Sequence, residues 1–338
     1  MKPITIIAAA SLFSILATAQ GAYKVQTRFP LAETGVEGWD YITLDGAARR
    51  LYISHSSKVE VVDADSGKHV GVIPDTPGVH GIAIAKGMDR GFTSNGRENK
   101  VSIFNTKTLA LIEKIEVGQG PDGIFYDEGT KLVFTNNHGS HDITAIDAAT
   151  GKVAGTIKVG GDGEQTVAGK KGMLYTNIED THEVVIFDPK ALTVKSRWKI
   201  DGGETPTGLA IDNKHDRLFV TCRSKVMVVM DSLTGKKIAS FPIGARVDWA
   251  EFDSSTQNIF VSNGDGTLNI FHQKSADDYE DMGALRTQPG AKTMAFDAKT
   301  KKIFLPAAEM VEVPATTPGG RVRTSIKPGS FTILVVGK

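Results

Sequence analysis

Asp40, His80, Asp122, Glu164, Thr207, Asp248 and Lys292 follow one another at steps of 40 to 44 residues, and each stands near the start of a short apolar run. Three aspartates, a glutamate and a histidine brought to one place form a donor set for a divalent cation, because carboxylate oxygens suit hard ions and imidazole suits transition metals. A second group lies in Asn137-His138-Gly139-Ser140-His141-Asp142, which puts two histidines and a carboxylate on one loop. His80, Asp122, His138 and His141 are therefore the candidate metal ligands, with zinc or copper the natural fit for the paired imidazoles. The alternative is a solvated, variable position and a glycine-rich loop that carries its histidines to water. Trp39, Tyr41 and Trp249 flank the same positions, and two uses are open to them: stacking on a flat ligand or filling space between neighbouring elements.

Other chemistries find no residues to carry them. Gly118-Gln119-Gly120-Pro121-Asp122-Gly123 matches the dinucleotide-binding glycine pattern, but no helix follows it. There is no haem-attachment motif, no Walker loop and no nucleophile elbow. The single cysteine, Cys222, excludes an internal disulfide and reads as an inert strand residue. Lys plus Arg equals Asp plus Glu at 39 each, so no global basic field gathers nucleic acid.

The elements that must position these residues announce themselves as a repeat. An apolar strand runs into a polar turn at Asp63-Ala64-Asp65-Ser66-Gly67-Lys68, again at Asp147-Ala148-Ala149-Thr150-Gly151-Lys152, and again at Asp231-Ser232-Leu233-Thr234-Gly235-Lys236. Weaker copies fall at Asn105, Asp188 and His272, giving steps of 42, 42, 41, 43 and 41 residues. Asp or Asn in such a turn accepts backbone N–H groups ahead of it and Gly takes the left-handed conformation, so these aspartates are structural. A second marker keeps the same period: Tyr52-Ile53-Ser54-His55, Phe92-Thr93-Ser94-Asn95, Val133-Phe134-Thr135-Asn136, Leu174-Tyr175-Thr176-Asn177, Phe219-Val220-Thr221-Cys222, Phe260-Val261-Ser262-Asn263 and Phe304-Leu305-Pro306-Ala307. Its Asn reads as a turn fixer.

Seven copies of about 42 residues, each with four short strands, predict an all-β, seven-bladed β-propeller, since stacking in a ring covers both apolar faces of every blade. The last copy ends after its third strand, Phe331 to Val335, while Tyr23 to Pro30 resembles a fourth strand with no preceding three. The N-terminal strand is thus expected to close the ring and remove its open edge. In this geometry the seven spaced residues ring a central funnel on the top face. His55, His80, His138, His141 and His182 map to that face too. So does an insertion from Glu309 to Pro328 carrying Arg321, Arg323 and Lys327, which is either a lid or docking segment or mere decoration.

The chain opens with Lys2, an apolar run from Ile4 to Leu16 and Ala17-Thr18-Ala19, the pattern of a secretory signal peptide. Residues 1–19 are read as the leader and 20–338 as one propeller domain, periplasmic or secreted. No segment is long enough for a transmembrane helix.

With its marker repeated seven times in register from about Tyr23 to Lys338, the sequence resembles the YVTN-repeat propellers, the YncE-like secreted bacterial proteins. It departs from their repeat at Cys222, at Ala307 and in the last-blade insertion. The resemblance implies the fold strongly and an activity weakly: single-stranded DNA binding for some members, and no shared catalytic motif. The functional expectation is a binding or scaffolding module working through the funnel, with an envelope protein or a small molecule as partner. Asp40, Tyr41, His80, Asp122, Glu164, Thr207, Asp248, Trp249 and Lys292 would be the contact residues. The alternatives are a metal-dependent hydrolase or lactonase using the acidic ring and a divalent metal, and binding of single-stranded DNA.

Overall fold

The computed structural model describes residues 22–31, 38–313 and 323–338. Apart from one turn of 3-10 helix at Lys170–Gly172, every regular element among them is a strand. Seven four-stranded antiparallel sheets follow one another around a ring, which makes the protein a seven-bladed β-propeller. The innermost strands are Trp39–Asp45, Val79–Ala85, Pro121–Asp127, Gly163–Ala168, Pro206–Asp212, Val247–Asp253 and Ala295–Asp297, and they number the blades 1 to 7. No helix among the described residues is long and apolar enough to cross a membrane.

Blade 7 is built from both ends of the chain. Lys24–Pro30 pairs antiparallel with Thr332–Gly337, which pairs in turn with Lys302–Ala307. The insertion in that blade forms a hairpin in which Met310–Val313 pairs with Arg323–Ile326. Ile326 joins the buried cluster of Phe29, Ile333 and Val335, while Lys327 pairs with Glu309 at the hairpin's exposed base, 2.7 Å apart. Arg321 lies outside the described residues, as do residues 1–19, the segment expected to be a leader.

The turn words fold as their chemistry requires. Asp63 Oδ1 accepts the N–H groups of Asp65 and Ser66 at 3.2 and 2.8 Å, and Asp147 and Asp231 repeat the pattern with Thr150 and Thr234 at 2.7 and 2.9 Å. Gly67 and Gly235 both take positive φ, and a Cβ there would collide with Phe29 or Trp198, at 2.2 and 2.3 Å. The aromatic of the preceding blade's outer strand thus packs against the glycine. His272 departs from this pattern, bonding Asn258 Oδ1 across the sheet instead, at 3.0 Å.

Cores lie between blades. Phe92, Phe104, Phe134, Phe187, Phe219, Phe260, Phe271 and Phe304 have almost no exposed surface. Burying each of these rings contributes on the order of 2–3 kcal/mol. Because all eight belong to the second or third strand of a blade, this packing holds the inner strands at fixed distance from the axis.

Candidate functional site

The inner strands are tied to each other by side chains that reach the next blade's backbone. Thr43 donates to Ile82 O (2.7 Å), Ser94 to Asp122 O, Asn136 to Glu164 O (2.7 Å) and Asn177 to Gly208 O (2.8 Å). Thr207 donates to Val247 O (2.9 Å), Ser262 to Lys292 O (2.5 Å) and Thr293 to Asp40 O (2.6 Å). These seven bonds run 1→2→3→4→5→6→7→1 and form a closed belt. Ser94, Asn136, Asn177 and Ser262 come from the repeated second marker, so that marker braces blade to blade as well as fixing turns. Four of the accepting carbonyls belong to Asp40, Asp122, Glu164 and Lys292. The belt therefore sets where those side chains begin. Close approach also matters: a Cβ on Gly123 would lie 2.6 Å from the Glu164 carbonyl oxygen.

Above the belt the polar side chains converge. His80 Nδ1 lies 2.8 Å from Asp40 Oδ2 and 3.6 Å from Asp122 Oδ2. Asp122 Oδ2 is also 3.8 Å from His138 Nδ1, while His138 Nε2 reaches Gly163 O at 2.9 Å. Lys292 Nζ bridges Asp40, at 3.1 Å, and Asp248. Arg223 continues the network from Asp248 (3.3 Å) to Glu179 (2.8 Å). Two overlapping groups have ligand atoms within 4.8 Å of one another, Asp40/His80/Asp122 and Asp122/His138/Glu164. Asp122 belongs to both, and its Oδ1 is buried with no hydrogen-bond partner among the described residues.

Sequence spacing places these residues unequally. Thr207 is fully buried with its hydroxyl on Val247. His141, on the same loop as His138, takes positive φ and pairs with Asp162 at 3.0 Å, in a separate exposed group with Asp180. His55 of blade 1 is buried, stacked 5.1 Å from Phe331 of blade 7. Arg223, Glu179 and Gln165 were not singled out by the spacing. Arg223 and Glu179 occupy the position of His138, directly after the second strand of each blade, and that alignment is the signal that finds them.

Four side chains cross the axis and make a floor. The Tyr41 hydroxyl of blade 1 donates to Glu164 Oε2 of blade 4 at 3.0 Å. Gln165 of blade 4 accepts from Leu209 N (2.8 Å) and donates to Ala250 O (3.1 Å), spanning blades 5 and 6. Trp249 packs edge-on against Tyr41, ring centres 5.2 Å apart. These aromatics fill the waist of the channel.

The electrostatics follow from burial and crowding. Burial pushes the Glu164 carboxyl well above the usual range, and the charges of Asp122 and Asp248 add to that. Asp122 is raised by burial as well, against the opposing pull of His80. Burial would also raise Asp40, but the His80 hydrogen bond and the Lys292 charge outweigh it and hold the carboxyl low. Burial works against charge on His80 too, yet the Asp40 bond and the Asp122 charge push the imidazole up. Five carboxylates, Asp40, Asp122, Glu164, Glu179 and Asp248, thus face one lysine, one arginine and the imidazoles of His80 and His138. Acidic groups outnumber basic ones, and a cation would offset the difference.

Fold and site together define a propeller with an acidic, imidazole-bearing funnel. No family model and no curated protein matches the chain. Solved propellers do. A chain of hydrazine synthase from Kuenenia stuttgartiensis is 16% identical with a TM-score of 0.71, over 81% of this chain and 93% of that one. A chain of the mitotic checkpoint complex is 12% identical at 0.74, over 97% and 99%, and U3-55K is 10% identical at 0.73, over 90% and 97%. At these identities the likeness concerns the fold.

Proposed function

We propose that the chain is a YncE-like, YVTN-repeat propeller of the periplasm or exterior, exported by a leader at residues 1–19, and that it is a binding module taking a cation in its upper funnel. The observation that carries the reading is Asp122, whose buried Oδ1 has no hydrogen-bond partner among the described residues and which is shared between two ligand groups. A divalent transition metal is the ligand these donors fit best: Asp122 with His80 and His138, and Asp40 and Glu164 as flanking carboxylates. The excess of carboxylates opposes a polyanion, so the single-stranded DNA reading draws no support from this face.

The test is metal content and thermal melting of the exported protein, before and after chelation, with Zn, Cu, Ca and Mn restored in turn. The reading expects one ion per chain, a lower melting temperature on its removal, and loss of the ion in Asp122→Asn and His80→Ala. No ion and no shift with any of the four would overturn it. A second reading is favoured by the raised Glu164 carboxyl beside the same donors: a metal-dependent hydrolase or lactonase in which a bound cation polarises a carbonyl and Glu164 delivers a proton. It requires lactone or ester hydrolysis that chelation abolishes.

A further inference from the structure

Below the floor the axis opens into a second cavity of about 790 Å³. Tyr41, Trp249, Glu164 and Gln165 form its roof, and none of Asp40, His80, Asp122, Asp248 and Lys292 lines it. Its walls are apolar, with Ile84, Phe125, Val167, Ile211 and Phe252 contributed by blades 2 to 6. Set into that wall is one carboxyl, Glu251. Trp249 Nε1 donates to its Oε1 at 3.0 Å, the one hydrogen bond the side chain makes among the described residues.

The surroundings give Glu251 no counter-charge. Glu164 faces the cavity from the roof, and Asp45, Asp127, Glu128 and Lys86 stand around its lower mouth. Lys86 is already paired with Glu128. Every other ionisable group on the cavity wall is therefore acidic or a tyrosine. Burial alone pushes the Glu251 carboxyl up to about 7, with the Trp249 bond opposing it. A lone carboxyl in an apolar wall is costly, and it is stabilised by a cation that brings its own apolar surface.

We propose that this lower cavity is a second binding site, for an organic ammonium ion with an aromatic or apolar body. Glu251 is the counter-ion, and Trp249 and Tyr41 are the roof on which the cation sits. Indole and phenol faces attract an ammonium group through the ring quadrupole, most strongly where water is excluded. The apolar walls take the rest of the molecule, and the volume falls within the range of small-molecule sites. Inorganic ions gain nothing from these walls, so the cavity differs in ligand class from the upper funnel. The inference does not depend on the upper site holding a metal.

The probe is benzyltrimethylammonium, with benzyl alcohol as its neutral counterpart, titrated into the exported protein by calorimetry and by quenching of tryptophan fluorescence. The cation should bind at least tenfold tighter than the alcohol at pH 8. Glu251→Gln, which keeps the shape and the bond from Trp249, should remove that preference, while Asp122→Asn should leave it intact. In the unaltered protein, cation affinity should weaken from pH 8 to pH 5.5 as Glu251 gains a proton, and alcohol affinity should not. Equal affinity for the two probes, no cation binding at millimolar concentration, or binding lost in Asp122→Asn and kept in Glu251→Gln would each overturn the proposal. If the Gln variant folds poorly, Glu251→Leu takes its place, and the pH series on the unaltered protein then tests whether a carboxyl of this cavity, Glu251 or Glu164, carries the preference.

Discussion

Replacing Glu251 with Gln should change how stability depends on pH. The carboxyl moves from its ordinary 4.5 in the unfolded chain to about 7 in the fold. Between those values the folded state keeps a proton that the unfolded state has lost, so stability falls as pH rises through the window. Two and a half pH units at about 1.36 kcal/mol each amount to about 3 kcal/mol, fully present below pH 4.5 and lost above pH 7. Gln cannot ionise, so the variant escapes that loss. It should match the parent near pH 4.5 and exceed it by about 3 kcal/mol at pH 8. Urea unfolding at half-unit steps from pH 4.5 to 8 would show it as a midpoint difference growing to about 1 M, for an m-value of roughly 3 kcal/mol/M. Asp122 and Glu164 tilt both curves alike, so the difference between them isolates Glu251. Parallel curves across the whole range would refute the reasoning.

Three further outcomes are expected. Lys292→Met leaves Asp40 and Asp248 short of a counter-charge and should cost about 3 kcal/mol in urea unfolding at pH 8; a loss below about 1 kcal/mol would contradict this. Asn136→Ala removes one link of the belt and leaves the Glu164 carbonyl without its donor, which should cost about 1–3 kcal/mol in thermal or urea unfolding. A change below about 0.5 kcal/mol would show that link to be idle. Cys222 has no exposed surface and burial pushes its thiol up to about 12; Ellman's reagent should therefore label it only after unfolding, and prompt labelling of the native protein would be inconsistent with that burial.

The parts of the fold that repeat were legible in the sequence. Turn words at Asp63, Asp147 and Asp231 and the Phe-rich second strands recur at a fixed period, and a blade is a local unit whose contacts span about 40 residues. Closure by Lys24–Pro30 was legible for the same reason, as the one missing strand and the one orphan strand match. The site was read less completely because its geometry is made across blades. Gln165 reaches Ala250, 85 residues away, and no local pattern signals that. Thr207 stands at a ring position in the sequence, but a short β-branched hydroxyl finds the next blade's carbonyl before it finds the funnel. His138 and His141 share a loop and part company because the backbone turns left-handed at His141. Glu251 was unreadable for a different reason. It is an ordinary glutamate two residues past an aromatic, and only the cavity around it makes it unusual.

The pairing of Lys24–Pro30 with Thr332–Gly337 makes blade 7 a seam. Each other sheet assembles from neighbours in the chain, but the seam must gather segments more than 300 residues apart. Closing a loop of that length costs on the order of 5 kcal/mol of chain entropy, so the seam is the last part to assemble and the first to part. When it parts, the uncovered strand is Thr-Ile-Leu-Val-Val-Gly, every residue of which is buried in the closed ring. An apolar, charge-free edge of that kind pairs readily with the same edge of another molecule. The propeller's exposure to self-association is thus concentrated in one strand, and the seven residues at the front of the domain act as its guard.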